Sequence, residues 1–302
     1  MAVDLSRGTG PKREEKAPRM NYRHAYHAGN HADVLKHVVL VRTLDYLRQK
    51  DKPLAVLDAH AGIGRYDLKS AEAFKTGEWK DGVGKFLKQP LPDGVMPLLA
   101  HYMNMIHDLN PNGALRHYPG SPEIIARMLR RSDRMVFNEM HPQDADMLVA
   151  RYTADKRVRV TRLDAAVSVK AELPFLEKRG LVLLDPAFEA PDELTKVTRM
   201  LRHILLRMKN AVVIVWYPLK APESAKDVKT ALASVGAANT LCVDLQVREG
   251  FAEGGLSGSG VVVVNPPYKL KAELELIMPV LVQRLGVGKW GKGSVSELTP
   301  PN

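Results

Sequence analysis

The chain has 302 residues, 45% hydrophobic and 26% charged, with 44 Lys+Arg against 34 Asp+Glu and a formal net charge of +10. Glycine and proline are near average and Cys242 is the single cysteine, which excludes collagen-like, low-complexity and disulfide-scaffold classes and any Cys-based zinc cluster. No apolar run approaches the roughly 18 to 20 residues that cross a bilayer, so the chain reads as globular and, by length, as one or two domains.

Residues 1–19 are polar, aperiodic and rich in Gly, Pro and Lys, and read as a disordered extension. No apolar core follows their charges, so a signal peptide is not expected and the expected location is the cytoplasm. This extension does not account for the charge. Residues 1–20 carry five basic and three acidic side chains, leaving +8 in the body. Such an excess points to a polyanion, nucleic acid first; general solubility is the plainer account.

From Ala32 to Leu47, Val34, Leu35, Val38, Val39, Val41, Leu44 and Leu47 recur at helical spacing, so a helix is expected there. The preceding run contains His24, His27 and His31, whose spacing would suit a metal on one helical face. Gly29 and Asn30 break the helix at that point and no Cys or carboxylate cluster joins the histidines, so no metal is expected. The run reads instead as a helix N-terminus forming one wall of a substrate pocket.

Seven strands follow: Leu54–Asp58, Met135–Glu139, Val158–Asp164, Gly180–Asp185, Ala211–Tyr217, Leu241–Val247 and Gly260–Asn265. Helical stretches at Glu123–Arg131, Asp144–Arg151, Leu194–Met208 and Ser224–Val235 separate most of them. Unbroken Val/Ile/Leu strands alternating with helices predict a parallel sheet covered on both faces. Only the Gly-rich loop Gly250–Gly260 joins the last two strands, so that pair is expected to be antiparallel. The result is an α/β, Rossmann-like seven-stranded fold of the class I methyltransferase kind. The long gap between the first two strands, residues 67–116, reads as a small, mainly helical insertion with a helix near Leu98–Leu109. The main domain is then 20–66 and 117–302, with an N-terminal substrate and cofactor segment at 20–50.

The strand ends carry the chemistry. The first strand runs into Asp58-Ala59-His60-Ala61-Gly62-Ile63-Gly64, a Gly-x-Gly turn that lets backbone approach a cofactor. His60 stands where a dinucleotide fingerprint would have its first glycine, which weighs against a nicotinamide dehydrogenase. Glu139 ends the second strand, suited to ribose hydroxyls, and Asp164 the third, suited to an adenine amine; singly, each is a solvated strand terminus. The fourth ends in Asp185-Pro186-Ala187-Phe188. Such a turn sets a carboxylate beside a backbone carbonyl, the two acceptors that a planar exocyclic amine needs, with an aromatic ring to stack on the base. Asn265-Pro266-Pro267-Tyr268 matches the amino-methyltransferase motif better by letter, but it follows the last strand, away from the expected crevice, and is read as a decoy.

The run YRHAYHAGNHADVLKH (Tyr22–His37), then LDAHAGIGRY, YPGSP, NEMHP and LLDPAF in this order, resembles the RlmJ (YhiR) family. That resemblance, from about Met20 to Pro300, implies an S-adenosylmethionine-dependent methyltransferase acting on an adenine N6 of 23S ribosomal RNA. It implies cofactor contacts at His37, His60, Ser121, Glu139, Asp164 and Ala165, Asp185 as catalytic acceptor, and Tyr22 on the RNA side, where Pro186 and Phe188 would also meet the base. On composition alone Ser121 would only cap a helix before Pro122. Ala187 departs from the family pattern, which has a second proline there. Basic groups at Arg127, Arg130, Arg131 and Arg134 and at Lys156, Arg157, Arg159 and Arg162 fit an RNA partner. A monomer is the default expectation. The rival readings are a DNA adenine-N6 methyltransferase and a non-enzymatic RNA-binding ribosome-assembly factor with a degenerate methyltransferase fold.

Overall fold

The computed structural model describes residues 23–220, 222–249 and 256–298; the expected extension and Tyr22 lie outside the described residues. In chain order come α1 (His31–Leu47), β1 (Ala55–Asp58), β2 (Arg65–Asp67), α2 (Ala71–Thr76), α3 (Val83–Phe86), α4 (Met96–Leu109) and β3 (His117–Pro119). Next are α5 (Ser121–Met128), β4 (Arg134–Asn138), α6 (Pro142–Tyr152), β5 (Val158–Thr161), α7 (Ala165–Glu172), β6 (Gly180–Leu184) and α8 (Glu193–Arg207). The last are β7 (Val212–Leu219), α9 (Pro222–Ala233), β8 (Thr240–Gln246), β9 (Gly258–Val264), α10 (Leu270–Leu285) and β10 (Lys292–Glu297).

The main sheet has eight strands in the order β10-β8-β9-β7-β6-β1-β4-β5. Strands β5, β4, β1, β6 and β7 are mutually parallel, and β9 enters antiparallel between β7 and β8. The expected antiparallel hairpin is therefore present, and the expected strand count of seven is one short. The extra strand, β10, pairs antiparallel with β8 at the sheet edge. It is mostly exposed and polar, Lys-Gly-Ser-Val-Ser-Glu, so no apolar alternation announces it. Helix α10 was also absent from the expected set.

Side-chain alternation on the strands feeds two cores. Val56, Met135, Phe137, Leu181 and Leu183 pack on the face covered by α1, α5 and α10; Leu57, Val136, Val182 and Leu184 face α7, α8 and α9. The order in which strands are added reverses between β1 and β6, which opens a crevice at the carboxyl ends of those parallel strands.

Helix α1 is buried on nearly every side, with 15 of its 17 residues inside, because α4, α5, α10 and the sheet surround it. It starts where Asn30 accepts hydrogen bonds from the amides of Ala32 (2.9 Å) and Asp33 (3.0 Å). The insertion is bracketed by the ribbon β2–β3, and its Val83, Phe86, Leu99 and Tyr102 belong to the same apolar cluster as α1.

Gly260 of β9 faces Tyr217 of β7 across the ladder, and a Cβ at that position would sit inside the Tyr217 ring. Gly260→Ala must therefore displace a buried aromatic, and chemical denaturation is expected to give a loss of about 1–3 kcal/mol. An unchanged midpoint would contradict this packing.

Candidate active site

Short hydrogen bonds hold the crevice together at its strand ends. Asn138, buried at the end of β4, donates to the carbonyls of Ala59 (3.1 Å) and Leu163 (2.9 Å) and accepts from Thr161 Oγ1 (2.8 Å) and Leu163 N (3.0 Å). One amide thus ties the exits of β1, β4 and β5. Beside it, the Glu139 carboxylate accepts from the amides of Gly62 (2.8 Å) and His141 (2.7 Å), which pins the glycine turn. Burial raises the Glu139 pKa against those two amides. Gly62 has φ +62° and Gly64 φ +80°, a region that glycine enters without strain.

Across the crevice, the Asp185 amide donates to His60 Nδ1 at 3.2 Å. Burial pushes the His60 pKa down to about 4, so the ring is neutral and carries its proton on Nε2. Asp58 is fully buried; its Oδ1 accepts from the His60 amide at 3.2 Å, and its Oδ2 has no hydrogen-bond partner among the described residues. Burial, opposed by Ser121 and reinforced by the charge of Asp185, raises the Asp58 carboxyl to about 7.

The groups that fix Asp185 come from α1. Lys36, 4% exposed, pairs with Asp185 Oδ2 and, at 2.8 Å, with Asp33 Oδ1. Burial works against the Lys36 charge, yet the two carboxylates outweigh it and raise its pKa. Asp33 in turn accepts from the Gly29 amide (2.8 Å) and pairs with His24 Nε2 (2.9 Å). Burial alone would raise its carboxyl, but His24, Lys36 and His37 hold it well below the ordinary value. Neither Lys36, Asp33 nor Asn138 was singled out in the sequence. A lysine among Val34, Leu35, Val38 and Val39 was the available signal, since a charge on a buried helix needs a partner.

The structure brings His60, Glu139, Asp185 and Pro186 to one edge, with Asp58 beneath them. Asp164 belongs to the same edge but is not a strand end: β5 stops at Thr161, and Asp164 caps α7, accepting from Ala166 N (2.9 Å) and Val167 N (3.3 Å), with Ala165 next to it. Ser121 is not a helix cap either. Gly120 holds that position and Ser121, 5% exposed, is the first helical residue, beside Asp58. His37 is set deeper, 1% exposed, bonded to Tyr118 OH at 2.9 Å, and burial lowers its pKa to about 3. Phe188 has φ +51° and stands edge-on to Trp216, ring centroids 6.0 Å apart.

The histidine run does not converge. His24 turns to Asp33 and His27 to Glu78 (3.0 Å), while His31 is buried. Among the described residues no group of three or more His, Cys, Asp or Glu is arranged to hold a metal. Asn265 lies at the opposite edge of the sheet, because β9 runs antiparallel and ends beside the start of β7. Its side chain donates to the carbonyls of Lys209 (2.9 Å) and Ala211 (2.8 Å), so its amide is spent on the fold.

Within a chain of net charge +10, the crevice thus gathers Asp58, Glu139, Asp164 and Asp185, with the Lys36 ammonium held against Asp185. Such a field suits a ligand with a positive centre and hydroxyl donors, and disfavours a pyrophosphate. The Asp58 proton gives a pH test. A carboxyl raised from 3.8 to about 7 adds stability that is fully present below its unfolded value and lost as pH rises through 7. Asp58→Asn mimics the protonated form, so the ligand-free variant is expected to melt several degrees above wild type at pH 8 and level with it near pH 4. A wild type that is the more stable at pH 8 would contradict the assignment.

The sequence profile of the family described as "Ribosomal RNA large subunit methyltransferase D, RlmJ" matches residues 51–298. The chain is 40% identical over 286 residues to the ribosomal RNA large subunit methyltransferase J of Haemophilus influenzae, covering 93% of this chain and 99% of that protein. It is 36% identical over 281 residues to the protein of the same name from Escherichia coli, with the same coverage. A crystal structure of a Legionella pneumophila protein superposes with a TM-score of 0.82 at 31% identity, over 90% of this chain and 98% of that one. With the Rossmann-like sheet and the strand-end crevice in place, the chain belongs to the RlmJ family of ribosomal RNA large subunit methyltransferases.

Proposed function

We propose that the protein transfers the methyl group of S-adenosylmethionine to the N6 amine of an adenine in 23S ribosomal RNA. The observation that carries this reading is the turn after β6. There the Asp185 carboxylate and the Pro186 carbonyl succeed one another at the rim of the acidic crevice, and Lys36 fixes the carboxylate. The names of the Haemophilus and Escherichia relatives support the ribosomal RNA substrate.

The residues present fit the cofactor on two counts. Asp58 Oδ2 is a buried oxygen without a hydrogen-bond partner among the described residues, with Ser121 beside the same carboxyl, and the crevice carboxylates complement a sulfonium and ribose hydroxyls. Glu139 and Asp164 would hold the ribose and adenine ends, with His60 and Ala165 alongside and Ser121 and His37 behind. When bound, S-adenosylmethionine supplies a methyl carbon activated by a positively charged sulfur.

The chain's own residues handle the amine. Asp185 Oδ2 is occupied by Lys36, which leaves Oδ1, with the Pro186 carbonyl, to accept the two N–H bonds of N6. Held this way, the nitrogen would be oriented with its lone pair toward the methyl group that bound S-adenosylmethionine would supply. Alignment is the main contribution. The surplus proton then passes to Asp185 Oδ1. Phe188 offers a ring for the base, and Tyr22 is proposed on the RNA side from the family resemblance. An adenine inside a helix must leave its stack first, so an unpaired or flipped adenine is the substrate. A protein acting on ribosomal RNA in this way works in the cytoplasm.

Incubation of the purified protein with S-adenosylmethionine and protein-free 23S RNA, followed by mass spectrometry of the nucleosides, is expected to yield N6-methyladenosine. Asp185→Asn should lower the rate by about 10²- to 10⁴-fold with calorimetric cofactor binding retained. A methyl group elsewhere than N6, or full activity in Asp185→Asn, would overturn the reading.

A further inference from the structure

The two basic clusters of the sequence, Arg127–Arg134 and Lys156–Arg162, meet because β4 and β5 are neighbouring parallel strands whose entry loops lie side by side. Most of their charges are already engaged. Arg127 pairs with Glu123 at 2.6 Å, Arg130 with Asp133 at 3.0 Å and Arg134 with Glu177 at 2.8 Å. Arg162 pairs with Asp146 at 2.6 Å, and Arg159 with Glu172. Arg157 works inside the fold: it pairs with Asp155 at 2.6 Å and donates to the carbonyls of Ala126 (3.0 Å) and Leu129 (2.6 Å) at the C-terminal end of α5.

Arg131 and Lys156 remain, both exposed, and α6 adds Arg151. Among the described residues none of these three has a carboxylate partner. Together with Tyr152, Ala154, Asp155 and Arg157 they line a groove of about 710 Å³. Arg151 Nε donates to the Ile63 carbonyl at 3.1 Å, which ties one groove residue to the glycine turn after β1, while Arg131 and Lys156 lie at the entry ends of β4 and β5.

We propose that this groove is a docking site for the phosphodiester backbone of the RNA substrate; the inference rests on the RNA reading above. Three cations without carboxylate partners among the described residues, spread over two loops and a helix, outnumber the one carboxylate in the lining, Asp155, which Arg157 holds, and so call for a polyanion rather than a single small anion. The one aromatic in the lining, Tyr152, is 8% exposed and offers no face for base stacking, so the contact reads backbone and not sequence. The acidic crevice and the basic groove then divide the work: one takes the cofactor and the flipped base, the other anchors the strand.

Fluorescence anisotropy of a 23S-derived RNA hairpin, and of an unrelated hairpin, between about 50 and 200 mM salt tests this. The variants are Arg131→Ala/Lys156→Ala and a control, Lys289→Ala/Lys292→Ala, which removes the same charge at the opposite edge of the sheet. The groove variant is expected to bind both RNAs about tenfold more weakly at the low-salt end, with the slope of log K against log salt reduced by about 1 to 2. The control should change affinity less than about twofold. A groove variant that binds like the control, from a wild type that methylates 23S RNA in parallel, overturns the groove alone. A wild type that does not methylate that RNA overturns the substrate reading beneath it.

Discussion

Lys36 carries its charge inside the molecule, 4% exposed, between Asp33 on its own helix and Asp185 at the end of β6. Taking an ammonium and two carboxylates out of water costs several kcal/mol per ion, and only close pairing offsets that. The pairing therefore fixes α1 in rotation and depth against the sheet. Asp33 extends the constraint to the Gly29 amide and to His24, and Glu78 of the insertion takes up His27 and the Asn30 side chain (2.9 Å). The segment ahead of α1, the insertion and the turn after β6 are thereby held in one polar chain that ends on the Asp185 carboxylate.

Charge is unevenly distributed for a physical reason. The body is basic, yet the strand-end crevice is acidic, because backbone amides of the glycine turn and the α7 N-terminus stabilise carboxylates there. Under the proposed function, a positively charged cofactor and a polyanionic substrate would meet different surfaces. Most basic side chains that looked available in the sequence are held by acids, so the outward field comes from few residues.

The parallel strands were legible because their apolar runs are continuous and end abruptly in Asp58, Glu139 and Asp185. The position of Asn265 away from the crevice was legible from hairpin topology, and there its side chain donates to two carbonyls near the start of β7. Lys36 was not legible as a partner of Asp185, which lies 149 residues away, since no local pattern encodes a contact of that range. Asn138 looked like an ordinary strand residue, although it joins three strand exits. Strand β10 stayed hidden because it buries almost nothing; its pairing with β8 comes from backbone hydrogen bonds that leave no trace in residue type. Asp164 was expected on the right edge for a different structural reason, as a strand end rather than the cap of α7.

The central claim is that the Lys36–Asp185 pair is energetically coupled and anchors the site. A double-mutant cycle in urea with Lys36→Met, Asp185→Asn and the combined variant measures this directly. Lys36→Met should cost about 3–5 kcal/mol by leaving buried carboxylates uncompensated, Asp185→Asn less because Asp33 still pairs with Lys36, and the combined variant should cost at least about 2 kcal/mol less than their sum. Additivity within about 0.5 kcal/mol would contradict the account.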